Sequence, residues 1–218
     1  MSQGFARIKR VLDILGALVG LLIVAPIIGM AALVLFFEDR SASPFLAQER
    51  IGLEAKPFKL WKLRTMRDAR FEGGRKLTDA ERLLGFGKLF RKLSIDELPQ
   101  LINVLRGDMS FIGPRPMPIA YLPYFRPEER VRHDVRPGMS GLAQVSGRNF
   151  LSWDEKFALD VHYVQNMGLL LDLKIFVLTL LKVLIPAGVG VRGEDLATVS
   201  LHEEREPWPA ASKSHRKN

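Results

Sequence analysis

"VLDILGALVGLLIVAPIIGMAALVLFF", Val11–Phe37, is the stretch on which the fold turns. Asp13 is its only charge, and the run exceeds the ~20 apolar residues that a membrane-spanning helix needs. It is too long for the ~7–15-residue apolar core of a signal peptide, and it carries no clear cleavage site. Pro26 lies in the interior, where it removes a backbone hydrogen bond and bends a helix. Basic residues flank both ends: Arg7, Lys9 and Arg10 before, and Arg40, Arg50, Lys56, Lys59, Lys62, Arg64 and Arg67 after. The positive-inside tendency draws both ends toward the cytoplasmic side. A re-entrant helix bent at Pro26 satisfies both observations. A kinked single span is also tolerated in membranes, so the residues alone leave both open. A second apolar stretch, Gly168–Val191, is interrupted by Asp172, Lys174 and Lys182. It suits a helix lying in the interface or packed on a core better than a span.

The 218-residue chain has no cysteine, which excludes disulfides and cysteine–metal sites, and its four histidines lie far apart. A net charge of +8 favours partners that carry phosphates. Its three Trp and three Tyr show no pattern for stacking nucleic-acid bases. Residues from Glu38 to about Pro57 read as a connector with a turn at "SASP". "FKLWKLRTM", Phe58–Met66, reads as a strand whose period places Lys62 and Arg64 on one face. Such a face could receive a diphosphate or could be a solvated edge. "RFEGGRKLT" is a loop, and "DAERLLGFGKLFRK" is one helix or two short ones. "GFGKL" lacks the spacing and hydroxyl of a nucleotide P-loop. "RPEERVRHDV" reads as a charged helical surface segment, and Pro137-Gly138 as a turn. In "SWDEKFALDVHYVQNMG", Ser152 and Glu155 form a capping box, and Gly168 follows the helix end. Beyond about Arg192 the chain is polar and reads as disordered.

The chemistry concentrates in "KLSIDELPQLINVLRGDMSFIGPRP", Lys92–Pro116. Pro99 fits the first turn of a helix, which places Asp96 and Glu97 at its start, with Gly107 as C-cap. The ordinary role of acids there is to cap N–H groups and oppose the dipole, and Ser94 with Glu97 matches a capping box. A carboxylate kept ionised at that position can also bind a divalent cation or attack phosphorus. Arg115, framed by Pro114 and Pro116, is a restricted cation for a phosphate. With the apolar N-terminal run, these features point to phosphoryl transfer to or from a lipid.

"KLRTM", "SIDELPQLINVLRGDMSFIGPRP", "RPGMSGLAQVSGRN" and "KFALDVHYVQNMGLLLDLKI" together resemble the bacterial sugar transferase family. These are the monotopic phosphoglycosyl transferases, in their small form, and the resemblance runs from about Lys9 to Pro186. It implies a re-entrant helix bent at Pro26 and a catalytic domain on the cytoplasmic face of the bacterial inner membrane. It implies transfer of a sugar-1-phosphate from a UDP-sugar to undecaprenyl phosphate, with UMP leaving and Mg²⁺ required. Carried over, Asp96 is the nucleophile on the β-phosphorus, and Glu97 assists with Mg²⁺ or as base. Lys62 and Arg115 neutralise phosphate oxygens, and Asp172 helps to position the cation. Arg91, Arg136, Gln144 and Arg148 lie in matching motifs that bind substrate phosphate. Two positions depart from some members: Ala25 stands where a serine precedes the proline, and Leu142 where an aromatic occurs.

The expected fold is mostly α with a minor β element. It divides into a re-entrant helix at 1–38, a catalytic domain with interfacial helices at 39–191, and a polar tail at 192–218. Membrane lipids are expected partners, nucleic acid is not, and a homodimer is compatible with the sequence. Two rival functions remain: a membrane-anchored glycosyltransferase releasing UDP, whose usual D-x-D motif is not evident, and a basic, non-enzymatic membrane scaffold.

Overall fold

The computed structural model describes residues 3–68, 71–72, 74–147, 151–184 and 200–208. The apolar run forms one helix, α1 (Gln3–Glu38), which continues through Pro26 as a single element. Among the described helices it alone is long and apolar enough to cross a membrane. One face of α1 packs on the rest of the chain. Ala17, Ala31 and Leu35 are buried there, and Gly16 brings the helix against the Phe111 ring. The other face exposes Leu12, Leu15, Val19, Leu22, Ile23 and Met30.

Charged side chains fasten both ends of α1 to the same body. Lys9 pairs with Asp172 at 2.6 Å, and Arg10 donates to the carbonyls of Val104 and Leu105. Asp13, 5% exposed, accepts from the Ser110 hydroxyl and the Phe111 N–H, both at 3.0 Å. The single charge of the apolar run is therefore a polar clip, its burial offset by two hydrogen bonds. At the far end Glu38 accepts from the N–H groups of Gly85 and Phe86, where donors at a helix start have no internal partner.

The expected connector contains a strand, β1 (Phe45–Ile51), antiparallel to β2 (Pro57–Leu63). Gln48, Glu49 and Arg50 are consecutive, so β1 shows no apolar alternation in the sequence. β2 ends one residue before Arg64, which leaves the expected shared face. Its guanidinium, 3% exposed, pairs with Asp39 at 2.6 Å and donates to the carbonyls of Asp39, Ala42 and Ser43. The "RFEGGRKLT" loop holds the short pair β3 (Phe71–Glu72) and β4 (Arg75–Lys76). Two short helices follow, α2 (Asp79–Arg82) and α3 (Gly85–Lys92). Gly87 is required where α3 packs on the chain that follows β2, since a Cβ there would lie 2.3 Å from the Thr65 carbonyl oxygen.

The acid pair does not open a continuous helix. Ile95–Glu97 is a separate 3₁₀ turn, entered through Ser94 in the left-handed region at φ 57°. The Ser94 side chain makes no cap bond, so the expected capping box with Glu97 is absent. Helix α4 (Gln100–Arg106) starts after Pro99 and ends on Gly107 at φ 91°, as expected of a C-cap. β5 (Ser110–Ile112) pairs parallel with β6 (Gly138–Ser140), so Pro137-Gly138 leads into a strand. "RPEERVRHDV" is a 3₁₀ segment, Pro127–His133, at the surface through Glu128 and Arg130 as expected, but it also buries Glu129, Arg132 and His133. Arg132 is pulled inward by Asp160 at 2.7 Å and by the rings of Phe125 and Phe157.

Next come α5 (Leu142–Ser146), α6 (Trp153–Asn166) and α7 (Leu169–Leu184). The Ser152–Glu155 capping box opens α6 as the sequence predicts. α7 buries Ile175 and exposes Leu170, Leu173 and Leu180. Last is α8 (Leu201–Glu204), inside the stretch expected to be disordered. Leu201 is fully buried in a cluster with Met117, Phe125 and Phe157, and Arg205 pairs with Glu129 at 2.9 Å. The disorder expectation therefore fails for residues 200–208, because one leucine and one arginine anchor them; the other residues beyond 184 lie outside the described ones. Leu201→Ala is expected to cost about 2–3 kcal/mol, read as a lower midpoint in a thermal melt. An unchanged midpoint would mean that α8 does not dock.

Candidate active site

Two adjoining clefts open beside the β1–β2 ribbon, with volumes of about 490 Å³ and 190 Å³. The larger falls within the about 300–1,000 Å³ usual for small-molecule sites, and the smaller has room for only part of such a ligand. Arg50, Lys62 and Arg115 line both and so mark their boundary. The larger cleft contains Asp96 and Glu97, together with Arg91 and Thr65.

Each side chain has a local reason to be there. Leu46, Gln48 and Arg50 on β1 stand opposite Lys62, Leu60 and Phe58 on β2, and period two turns Gln48, Arg50 and Lys62 to one face. The 3₁₀ turn presents Asp96 at 5% exposure and sets Glu97 against two cations, Lys62 at 3.1 Å and Arg115 at 3.5 Å. Arg91 reaches the cleft from α3 with its Nε–H donated to the Thr65 hydroxyl at 2.8 Å. The loop between β5 and the next 3₁₀ turn holds Arg115. Its Arg115 carbonyl accepts from the buried Arg132, and its Pro114 carbonyl from Gly138 N–H. Burial pushes the Lys62 ammonium below the ordinary lysine value. Glu97 pulls it back up, and Arg115 adds to the lowering.

The structure brings five predicted residues to one cleft: Lys62, Arg91, Asp96, Glu97 and Arg115. It does not bring Asp172, Arg136 or Gln144 there. Asp172 gives one oxygen to Lys9 and the other to the Tyr163 hydroxyl at 2.7 Å, and lines neither cleft. Burial and Asp172 push the Tyr163 phenol up, so it stays a donor. Asp172 is thus a fastener of α1 and α7, and its expected part in holding a cation is not supported. Arg136 donates to the Gly107 carbonyl at the end of α4, and Gln144 to the Met139 carbonyl. Neither lines either of these two clefts. Arg148 lies outside the described residues. Arg64 does line the larger cleft, but Asp39 already neutralises it.

Sequence reasoning missed Arg50, Tyr121 and Trp153. The register of β1 on β2 would have placed Arg50 on the Lys62 face. No local signal marks the two aromatics, which converge from the 3₁₀ turn Ile119–Tyr124 and from α6.

Among the described residues no three His, Asp or Glu side chains form a metal cage. The adjacent carboxylates of Asp96 and Glu97 still suit Mg²⁺. That ion keeps several waters and is commonly bound by one or two carboxylates plus substrate phosphate.

The sequence pattern of the bacterial sugar transferases matches residues 5–186. The chain belongs to the bacterial sugar transferase family. Its type within that family is the phosphoglycosyl transferase. An uncharacterized sugar transferase, EpsL, of Bacillus subtilis is 54% identical over 145 residues, covering 66% of this chain and 72% of that protein. The exopolysaccharide production protein ExoY of Sinorhizobium fredii is 38% identical over 197 residues, covering 83% and 87%. The UDP-glucose:undecaprenyl-phosphate glucose-1-phosphate transferase of Caulobacter vibrioides is 40% identical over 183 residues, covering 78% and 67%. The α8 segment lies beyond the family match.

Proposed function

We propose that this bacterial sugar transferase moves a sugar-1-phosphate from a UDP-sugar to undecaprenyl phosphate and releases UMP, through a phosphosugar held covalently on Asp96. The observation that carries the proposal is the buried Asp96 beside a Glu97 that is clasped by Lys62 and Arg115 in one cleft. A diphosphate donor and a phosphate acceptor are both anions, and these cations oppose the charge that develops on their oxygens.

In the first step an Asp96 carboxylate oxygen forms a bond to the β-phosphorus. The bond from that phosphorus to the oxygen bridging the two phosphates breaks, and the bridging oxygen leaves with the electron pair as part of UMP. In the second step a phosphate oxygen of undecaprenyl phosphate bonds to the same phosphorus, and the Asp96 carboxylate leaves. Glu97 accepts the acceptor's proton when that phosphate enters protonated. Splitting the transfer lets one anion depart before the next arrives. Asp96 and Glu97 are the residues that would hold Mg²⁺, which when bound supplies positive charge to the phosphate oxygens.

α1 is re-entrant in this reading, and the catalytic body stays on the cytoplasmic face of the inner membrane. Its support is that Lys9, Arg10 and Asp13 at one end, and Glu38 at the other, bind the same body. A helix crossing a core ~30 Å thick puts its ends on opposite sides.

The test is nucleotide release in nanodiscs with undecaprenyl phosphate, Mg²⁺ and a panel of UDP-sugars. UMP is expected, and chelation by EDTA should lower its formation to background, with recovery on adding Mg²⁺. UDP as product would assign sugar transfer alone and refute the proposal. Full activity in EDTA would remove the metal from it.

A further inference from the structure

We propose that the smaller cleft, walled by Tyr121, Trp153 and Met139, receives the nucleobase of the donor, with the diphosphate laid across Arg50, Lys62 and Arg115. This rests on the donor reading above and adds which end of the donor lies where.

The phosphorus attacked must lie at Asp96, which only the larger cleft contains. The sugar is attached to that phosphorus, and the second phosphate follows on the other side. The three cations shared by both clefts stand where a diphosphate would cross between them. Beyond them the donor continues as a nucleoside, and the space beyond them is the smaller cleft.

Its walls have the matching chemistry. The Tyr121 and Trp153 rings meet edge to face with centroids 5.6 Å apart. Both rings line the cleft, with the Lys156 ammonium over the Trp153 ring at 4.6 Å from its centroid, and base–aromatic stacking is a general way to hold a base. Gln100 is buried, at 4% exposure, and brings to the cleft one amide that can both donate and accept. The fixed carboxylates stay with the reacting phosphorus. Each product of the first step then has its own place, the phosphosugar with Asp96 and the nucleoside monophosphate in the smaller cleft.

The experiment measures UMP binding by calorimetry, and separately the KM for a UDP-sugar and for undecaprenyl phosphate, in wild type, Trp153→Leu, Trp153→Phe and Tyr121→Leu. Leucine keeps apolar packing and removes the ring, and the two leucine variants alter different elements. Both should weaken UMP binding and raise the UDP-sugar KM about tenfold. Undecaprenyl phosphate KM should stay unchanged, and Trp153→Phe should retain most of the affinity. A structural defect would lower both substrates' use together and would contradict the assignment. Unchanged UMP affinity in both leucine variants of an active enzyme would overturn this inference alone, as would a selective rise in the undecaprenyl phosphate KM. Failure of wild type itself to release UMP from any UDP-sugar would instead sink the donor reading.

Discussion

Asp96→Asn is expected to stop UMP release, lowering the rate by ~10⁴-fold or more, while the protein still folds. The amide matches the carboxylate in shape but has no anionic oxygen to attack the β-phosphorus and form the acyl phosphate as UMP leaves. Asp96 is 5% exposed, and a neutral amide is cheaper than a charge to keep from water. The thermal midpoint should therefore hold or rise as activity disappears. Release at the wild-type rate would show that Asp96 is not the nucleophile. The neighbouring acid behaves differently: Glu97 touches Lys62 and Arg115, so its removal would leave two cations facing each other as well as altering the chemistry.

The second large effect belongs to Lys62. Lys62→Met should lower the rate about 10²–10³-fold, the usual loss when one preorganised donor to a developing oxyanion is removed. Charge on Lys62 also sets a pH limit. Burial lowers its pKa from the ordinary lysine value of 10.5, with Glu97 opposing and Arg115 assisting the shift. The wild-type rate should therefore start to fall on the alkaline side before an ordinary lysine would titrate. The residual rate of Lys62→Met should lack that limb. Stability moves the other way. Between the folded and unfolded pKa values the unfolded chain binds the extra proton, so this group's contribution to folding stability rises with pH. A pH–rate profile whose alkaline limb survives in Lys62→Met would assign the limb to another group.

Much of this could be read from the chain because the signals are local. A long apolar run, a capping box at Ser152 and a glycine after Arg106 each specify their element by nearby physics. The resemblance placed the acid pair, Lys62, Arg91 and Arg115, and the fold gathers those five into one cleft. What escaped depends on contacts between distant residues. Asp13 looked like an isolated charge in a membrane run, and its partners lie 97 and 98 positions away. Asp172 carries a family position, yet Lys9, 163 residues distant, takes one of its oxygens. β1 has three polar residues in succession and is recognised only by its pairing with β2. Ser94 matched a capping box by spacing, but its left-handed backbone sends the chain into a 3₁₀ turn. The buried charges of Pro127–His133 read as surface because nothing nearby announces Asp160.

The covalent step on Asp96 is the central claim, and the intact mass of the protein tests it most directly. Purified enzyme would be mixed with Mg²⁺ and each UDP-sugar in the absence of undecaprenyl phosphate, quenched in acid and weighed. The account predicts a mass increase equal to one phosphosugar, located by fragmentation to Asp96, absent from Asp96→Asn and discharged when undecaprenyl phosphate is added. UMP formation that requires both substrates together, with no adduct at any time, would contradict it and leave direct transfer between the two bound phosphates.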